Sequence, residues 1–527
     1  GRVIDGTGSP WFRADVGVAD GRIVAVGDLE GSEAGRTLDA AGMVVTPGFI
    51  DMHTHSELAL IRDGRGLSKI RQGVTTEGVG ESSSVAPRRE GMEGGRWGVE
   101  PDWESLDGYF RRLESQGTSG NLMSYVAASQ LRRHVIGEEQ REPTPEELEE
   151  MKRLLAREME NGALGLVSRL ETPGQEPTPE VRPDTDELVE LARVVAGYGG
   201  IYGSHIRYQD HRLVQAIEEA AEVGERAGLP VEMFHFKSAG YPVRGRLHEG
   251  LAAIERARAR GVDIAADIYP YIAAAHGLDT EVPAWTHEGG TERFLERLAD
   301  PELRPRIKRE VTEYMTTKYY NEYEGTRGFD AVIISSVGHD PERYVGKTIG
   351  QIARERGDDD PADTVLDLLI EQENEVGVVM FYMSEEDVTA GLRHPLVSIC
   401  SDGSAVSPEF GGQPHPRYYG TFPRILGHYV RERGALRLEE AVRKMTSFPA
   451  QRLGLLDRGV VRPGMWADLV VFDPETIIDN ATFQEPHQFP DGIPYVVVNG
   501  ELVIDGGEHT GALPGRGLRG AGWTGAR

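Results

Sequence analysis

Apolar and polar positions change rhythm twice along the chain. The first 46 residues alternate short β-rich runs with turns, in ADVGVADGRIVAVGD and RTLDAAGMVVTPG. Asp20-Gly21 inside the first run is a pair that closes hairpins, because both residues tolerate positive φ. The tail has the same texture in RGVVRPGMWADLVVFDPE and GIPYVVVNGELVID, with Asn499-Gly500 as a second such turn. All-β segments at both ends predict one small β-sandwich domain built from 1–46 and 457–527, around a different unit spanning 47–456.

In that central unit, short apolar strands precede helical patterns. LVQAIEEAAEVGERAG carries apolar residues at 213, 214, 217, 220, 221 and 223, a helical stripe that stops at Gly228 and leads into PVEMFHF. TPEELEEMKRLLAREMENG has Thr144 as N-cap, Pro145 at the first helical position and Glu147 three residues on, a capping box. Strand–helix alternation of this length predicts an α/β fold closed as a TIM (β/α)8 barrel. An open doubly wound sheet is the alternative, although no G-x-G-x-x-G follows a first strand. Two stretches break the rhythm. Residues 171–186 are Pro-rich and acidic and read as a loop. Residues 276–330 read as an excursion over the barrel mouth, either a lid or solvated decoration.

Composition narrows the function classes. The formal charge of −29 argues against nucleic acid, whose phosphates demand a basic face, and is otherwise the mark of a well-solvated surface. No apolar run nears the length of about 20 residues that crosses a bilayer. The single cysteine, Cys400, excludes an internal disulfide and a cysteine-based zinc cluster, and fits a reducing, cytoplasmic compartment. Its place in the apolar run LVSIC reads as a buried, inert thiol.

The candidate chemistry sits where apolar runs end. VTPGFIDMHTHSE stops in His53 and His55, which in a strand share a face and can hold one ion. GGIYGSHIR ends in His205 and PVEMFHFK contains His235, one β–α unit later. VTTEGVGE closes on Glu81, and Asp402 follows HPLVSICS. Five strand ends thus offer imidazoles and carboxylates at one barrel mouth, which predicts a metal centre. A lone histidine is usually structural, but repetition at matched strand ends is not explained that way.

PGFIDMHTH, GSHIR, FHFK and SDGS, in that order, resemble the amidohydrolase superfamily, and more closely its D-aminoacylase (N-acyl-D-amino-acid deacylase) family. YYGTFPRILGHYVRE, AVRKMTSFPAQRLGL and GMWADLVVFDP are similar to that family's closing segments, so the resemblance covers nearly the whole chain. It implies His53 and His55 on an outer, exchangeable metal position and His205 and His235 on an inner, tightly bound one. Asp402 matches the general base and acid beside a metal-activated water. The cofactor implied is Zn2+, one ion or two. The chain departs from the family's GNCG-like turn with GESSS, where Glu81 or Ser82 replaces a cysteine. Glu81 is the better ligand, since a carboxylate can bridge two cations and a neutral hydroxyl binds poorly. With oxygen in place of sulfur, other divalent transition metals become possible.

Arg207 and Lys237, each two residues after a histidine, suit a substrate that carries a carboxylate, although an internal ion pair is the equal alternative for Arg207. The resemblance assigns the substrate carboxylate to Lys237 and Tyr269. It also expects a serine after Y-P-Y, where this chain has Ala273-Ala274-Ala275-His276. The activity expected is hydrolysis of the amide of an N-acyl-D-amino acid. A dipeptidase or cyclic amidase, and a non-catalytic scaffold, are the alternatives. Oligomeric state is not legible.

Overall fold

The computed structural model describes residues 1–81, 84–90, 92, 98–137, 139, 141–171 and 182–525. Most of the Pro-rich stretch 171–186 and Ser82 of the GESSS turn therefore lie outside the described residues.

Among the described residues, eight parallel strands form a ring. They are Phe49–Thr54, Val74–Val79, Asn121–Ser124 continued by Val126–Ala127, Gly165–Arg169, Ile201–His205, Val231–Met233, Ile264–Ile268 and Val397–Ile399. Each pairs in parallel with the next. The ring closes where the Asp402 N–H donates to His53 O at 3.1 Å and the His55 N–H to Gly403 O at 3.1 Å. This is the (β/α)8 barrel that the alternation predicts, and its interior is packed with Ile50, Met52, Met123, Tyr125, Val167, Ile201 and Phe234. An interior this apolar pushes polar side chains to the strand ends.

The helices between strands follow their sequence signals. Leu213–Ala227 buries Leu213, Ala216, Ile217, Ala220 and Ala221 and stops at Gly228, whose φ of 75° is the left-handed cap that glycine adopts freely. Each large aliphatic buried there contributes roughly 1.5–3 kcal/mol, so the inward stripe rather than propensity holds the helix. Pro145–Glu160 begins with the capping box: the Glu147 N–H donates to Thr144 Oγ1 at 3.2 Å, and the Thr144 N–H to Glu147 Oε2 at 2.8 Å.

Both termini enter one seven-stranded sheet. Its order is Phe12–Arg13, Arg2–Val3, Val44–Pro47, Leu469–Phe472, Tyr495–Val498, Glu501–Asp505 and Glu508–His509. A hairpin, Asp15–Ala19 with Arg22–Gly27, shares a core with it through Val3, Ile23, Val45, Met465 and Leu469. The two hairpin turns are those the sequence marks, with positive φ at Asp20, Gly21, Asn499 and Gly500.

The chain leaves the barrel after Ile268 and returns at Val397. In between, Ala273–Gly277, Val376–Phe381 and Val332–Val337 form a separate antiparallel sheet, flanked by Arg304–Lys318 and further helices. The run VGVVMF has the texture of a barrel strand and pairs outside the barrel, because an apolar run does not encode its partner. Among the described residues no helix is long and apolar enough to cross a membrane.

Candidate metal centre

The first barrel strand does not deliver its histidines by simple alternation. Asp51 pairs with Glu77 and Thr54 with Val79, so three steps on this strand face two on its neighbour, a β-bulge. Ile50 and Met52 fill the interior, and the bulge then turns His53 inward as well, stacked 4.4 Å from the Phe234 ring. Gly78 allows the close approach: a Cβ there would lie 2.7 Å from Met52 O. His55 follows at the mouth, its ring centroid 5.5 Å from that of His53.

Glu81 stands two residues past the second strand and divides its carboxylate between two groups of histidines. Oε1 is 2.9 Å from His205 Nδ1 and 3.9 Å from His235 Nε2, while Oε2 is 3.9 Å from His55 Nε2. His205 Nδ1 and His235 Nε2 are 3.0 Å apart. His235 lies beyond the end of its strand with φ of 38°, so strand alternation does not set its direction. Its N–H instead donates to Asp267 Oδ1 at 2.5 Å, which pins the turn to the seventh strand. Burial pushes Glu81 up, but His205, His55 and His53 more than offset this and hold it well below the usual carboxylate range. Burial, with Lys237 and His205 beside it, drives His235 far down, toward a neutral ring that can donate a lone pair.

Asp402 sits just past the eighth strand in a left-handed conformation, φ 48°. Both of its neighbours are clamped. The Ser401 N–H donates to Asp51 Oδ1 at 3.0 Å, the Gly403 N–H donates to Ser401 Oγ at 3.2 Å, and buried Lys69 donates to Asp51 and to Ser401 Oγ. Asp402 Oδ1 then meets His55 Nε2 at 3.0 Å and His53 Nε2 at 3.8 Å, and Oδ2 accepts from Arg417 Nη1 at 2.7 Å. Burial raises this carboxyl, and Arg417, followed by the histidines, reverses it to well below the usual range.

The donor set fits divalent ions. Donor atoms of Glu81, His205 and His235 lie within 4.8 Å of one another, as do those of His53, His55 and Glu81. Both ring nitrogens of His53 are buried without a hydrogen-bond partner, an arrangement that a protein tolerates where another group completes it. A cavity of about 780 Å³ opens on His55, Asp402 and Arg417 and is walled by His276, Ser336 and Trp103. A second, of about 720 Å³, is lined by Glu171, Arg207 and Lys318.

Residues 36–327 and 373–504 match the profile of the Amidohydrolase family. The chain belongs to that family. D-aminoacylase of Alcaligenes xylosoxydans xylosoxydans is 36% identical over 526 residues, 98% of this chain and 96% of its own. A D-aminoacylase structure that addresses its binuclear metal center superposes with a TM-score of 0.80 at 35% identity, covering 98% of each chain. The N-acyl-D-glutamate deacylase of Bordetella bronchiseptica, complexed with zinc and a phosphonate inhibitor, gives 0.81 at 32% identity, again over 98% of each.

Within this amidohydrolase, the sequence-read residues His53, His55, Glu81, His205, His235 and Asp402 converge. Lys237 joins them, with Nζ 2.8 Å from His235 Nδ1, and burial pushes it down to about 8. Its ammonium lies 5.4 Å from the Tyr269 ring, and the Tyr269 hydroxyl is buried without a partner. Arg207 does not reach the cluster. Its guanidinium is committed to Glu219 at 2.7 Å and to Pro183 O at 2.8 Å, the internal ion pair that was its alternative reading. Ala273–Gly277 is a strand of the excursion, with His276 Nε2 3.7 Å from Glu281 Oε1. Sequence reasoning missed Arg417 and Glu171. Arg417 follows a loop with no periodic signal, and Glu171 opens the stretch that reads as a Pro-rich loop. Glu171 Oε2 is 2.9 Å from His205 Nε2.

Proposed function

We propose that this protein hydrolyses the amide bond of N-acyl-D-amino acids at a centre for one or two divalent ions, zinc foremost. The observation that carries the reading is the split carboxylate of Glu81, one oxygen toward His205 and the other toward His55, which would let it serve two ion positions. Glu81, His205 and His235 would hold the inner ion; His53, His55, Glu81 and Asp402 the outer one. An ion there would acidify the attacking water and polarise the scissile carbonyl.

The chain's own groups supply the rest. Asp402, kept ionised by Arg417, accepts the proton of the attacking water and returns it to the leaving amine. Lys237 and Arg417 both lie by the Tyr269 ring, at 5.4 and 4.8 Å, and with the Tyr269 hydroxyl, buried without a partner, make a cationic corner for the substrate carboxylate. Arg207 serves here as a brace for the cavity wall, through Glu219. The preference for the D-isomer rests on similarity to the deacylases.

The seven-stranded sheet and its hairpin read as the two layers of a small sandwich, 47–456 as the barrel with its excursion, and the lone buried cysteine as fitting a cytoplasmic, reducing setting. Alanine and histidine in place of the expected serine favour, as a second reading, a dipeptide or cyclic amide at the same centre. Metal content and turnover of N-acetyl-D-amino acids, N-acetyl-L-amino acids and dipeptides test these readings. Exclusive turnover of L-substrates refutes the first. A protein without bound metal, inert after metal is supplied, refutes both and leaves a scaffold.

A further inference from the structure

His205 is held at both ring nitrogens. Nδ1 faces the inner group, 2.9 Å from Glu81 Oε1 and 3.0 Å from His235 Nε2. Nε2 faces outward, 2.9 Å from Glu171 Oε2. Both ring nitrogens thus face carboxylate oxygens; an ion held by Glu81 and Nδ1 would leave the hydrogen on Nε2, where Glu171 accepts it. Metal-bound histidines are commonly oriented in this way, by a carboxylate on the far ring nitrogen that fixes both tautomer and ring plane.

Glu171 comes from the segment just after the fourth barrel strand, which ends at Arg169, next to the strand that carries His205. The two strands are in register there, Arg169 opposite His205, so a residue two positions further on reaches the outer edge of the imidazole. Lys318, the last residue of Arg304–Lys318 in the excursion, lines the same cavity as Glu171. Lys318 is itself fixed by a bond to the Tyr314 hydroxyl and lies over the Tyr319 and Tyr382 rings at 5.6 and 5.2 Å.

We propose that Glu171 is a positioning residue for the inner metal site: it fixes His205 with Nδ1 toward the ion. The inference rests on the metal centre read above. It separates the two ion positions, because Glu171 touches only a ligand of the inner one. Glu171 never meets the reacting atoms.

The test is zinc affinity of the whole protein, measured for each equivalent by competition with a chromogenic chelator, for wild type, Glu171→Gln and Glu171→Asp. The first equivalent is expected to bind roughly 10- to 100-fold more weakly in Glu171→Gln. Glu171→Asp should recover part of that loss, and the second equivalent should be unmoved. Visible spectra of the cobalt-loaded protein should show an altered ligand field in Glu171→Gln, which a merely structural role would not produce. Glu171→Gln keeps the side chain's shape, so it tests the proposal even where larger truncations misfold. Wild type that retains zinc, with Glu171→Gln retaining the first equivalent within two-fold, overturns this proposal and leaves the metal centre standing. Wild type that retains none overturns both.

Discussion

Glu81 Oε1 lies 2.9 Å from His205 Nδ1 while the other oxygen of the same carboxylate turns toward His55. One residue thus touches both histidine groups, and a cysteine sulfur in its place would offer a single softer atom. Outer partners of metal ligands are worth roughly 10–100-fold in affinity, so removing this ligand is expected to cost more. Glu81→Ala should lose the second equivalent of zinc and weaken the first by more than 100-fold. Unchanged stoichiometry and affinity, measured by metal analysis after dialysis, would move the bridge elsewhere.

Asp402 is clamped through Ser401 and Gly403 and ionised by Arg417. Positioned acid–base groups contribute roughly 100- to 10,000-fold. Asp402→Asn should therefore lower kcat by that range while the inner equivalent of metal stays bound. A variant that keeps wild-type kcat assigns the proton transfer to another group.

Arg417 touches Asp402 with one arm of its fork, and its Nε is buried without a partner. Arg417→Lys keeps the charge and loses the planar fork, which is not a conservative exchange at such a site. Hydrogen bonds to charged groups are worth about 1.5–3 kcal/mol, so kcat/KM for an N-acyl-D-amino acid should drop roughly 10- to 100-fold. Steady-state kinetics that match wild type would remove Arg417 from both of its proposed contacts.

Glu232 lies near the base of the sixth strand, paired with Arg452 at 2.9 Å. Burial raises it to about 7, with Arg452 only partly compensating. A carboxyl raised in the folded state contributes stability that is full below its unfolded value near 4.5 and is lost as pH rises through about 7. Glu232→Gln should remove that dependence, on the order of 3 kcal/mol at most, making the variant relatively more stable at pH 8 than at pH 4.5. Chemical denaturation of both proteins across this window checks the sign; parallel curves would count against it.

The ligand types and their order along the chain were legible because the apolar strands of such a barrel end in polar side chains at one mouth. Periodicity located Leu213–Ala227 and Pro145–Glu160, and the positive-φ pairs located both hairpins. Those signals are local, so one sequence carries them. What it could not carry was the aim of side chains past the strand ends. His53 is turned inward by a bulge whose existence depends on the neighbouring strand, and His235 takes a left-handed turn pinned by Asp267. Arg207 and Lys237 occupy equivalent offsets after their histidines, yet Glu219 draws one away and His235 keeps the other. Arg417 and Glu171 meet Asp402 and His205 across 15 and 34 residues, with no repeat to betray either contact. The sequence by itself determined which donors exist and that the strands bring them to one mouth. Only the tertiary structure decided which atom of each donor faces which partner, because that depends on contacts between segments whose pairing no local pattern encodes.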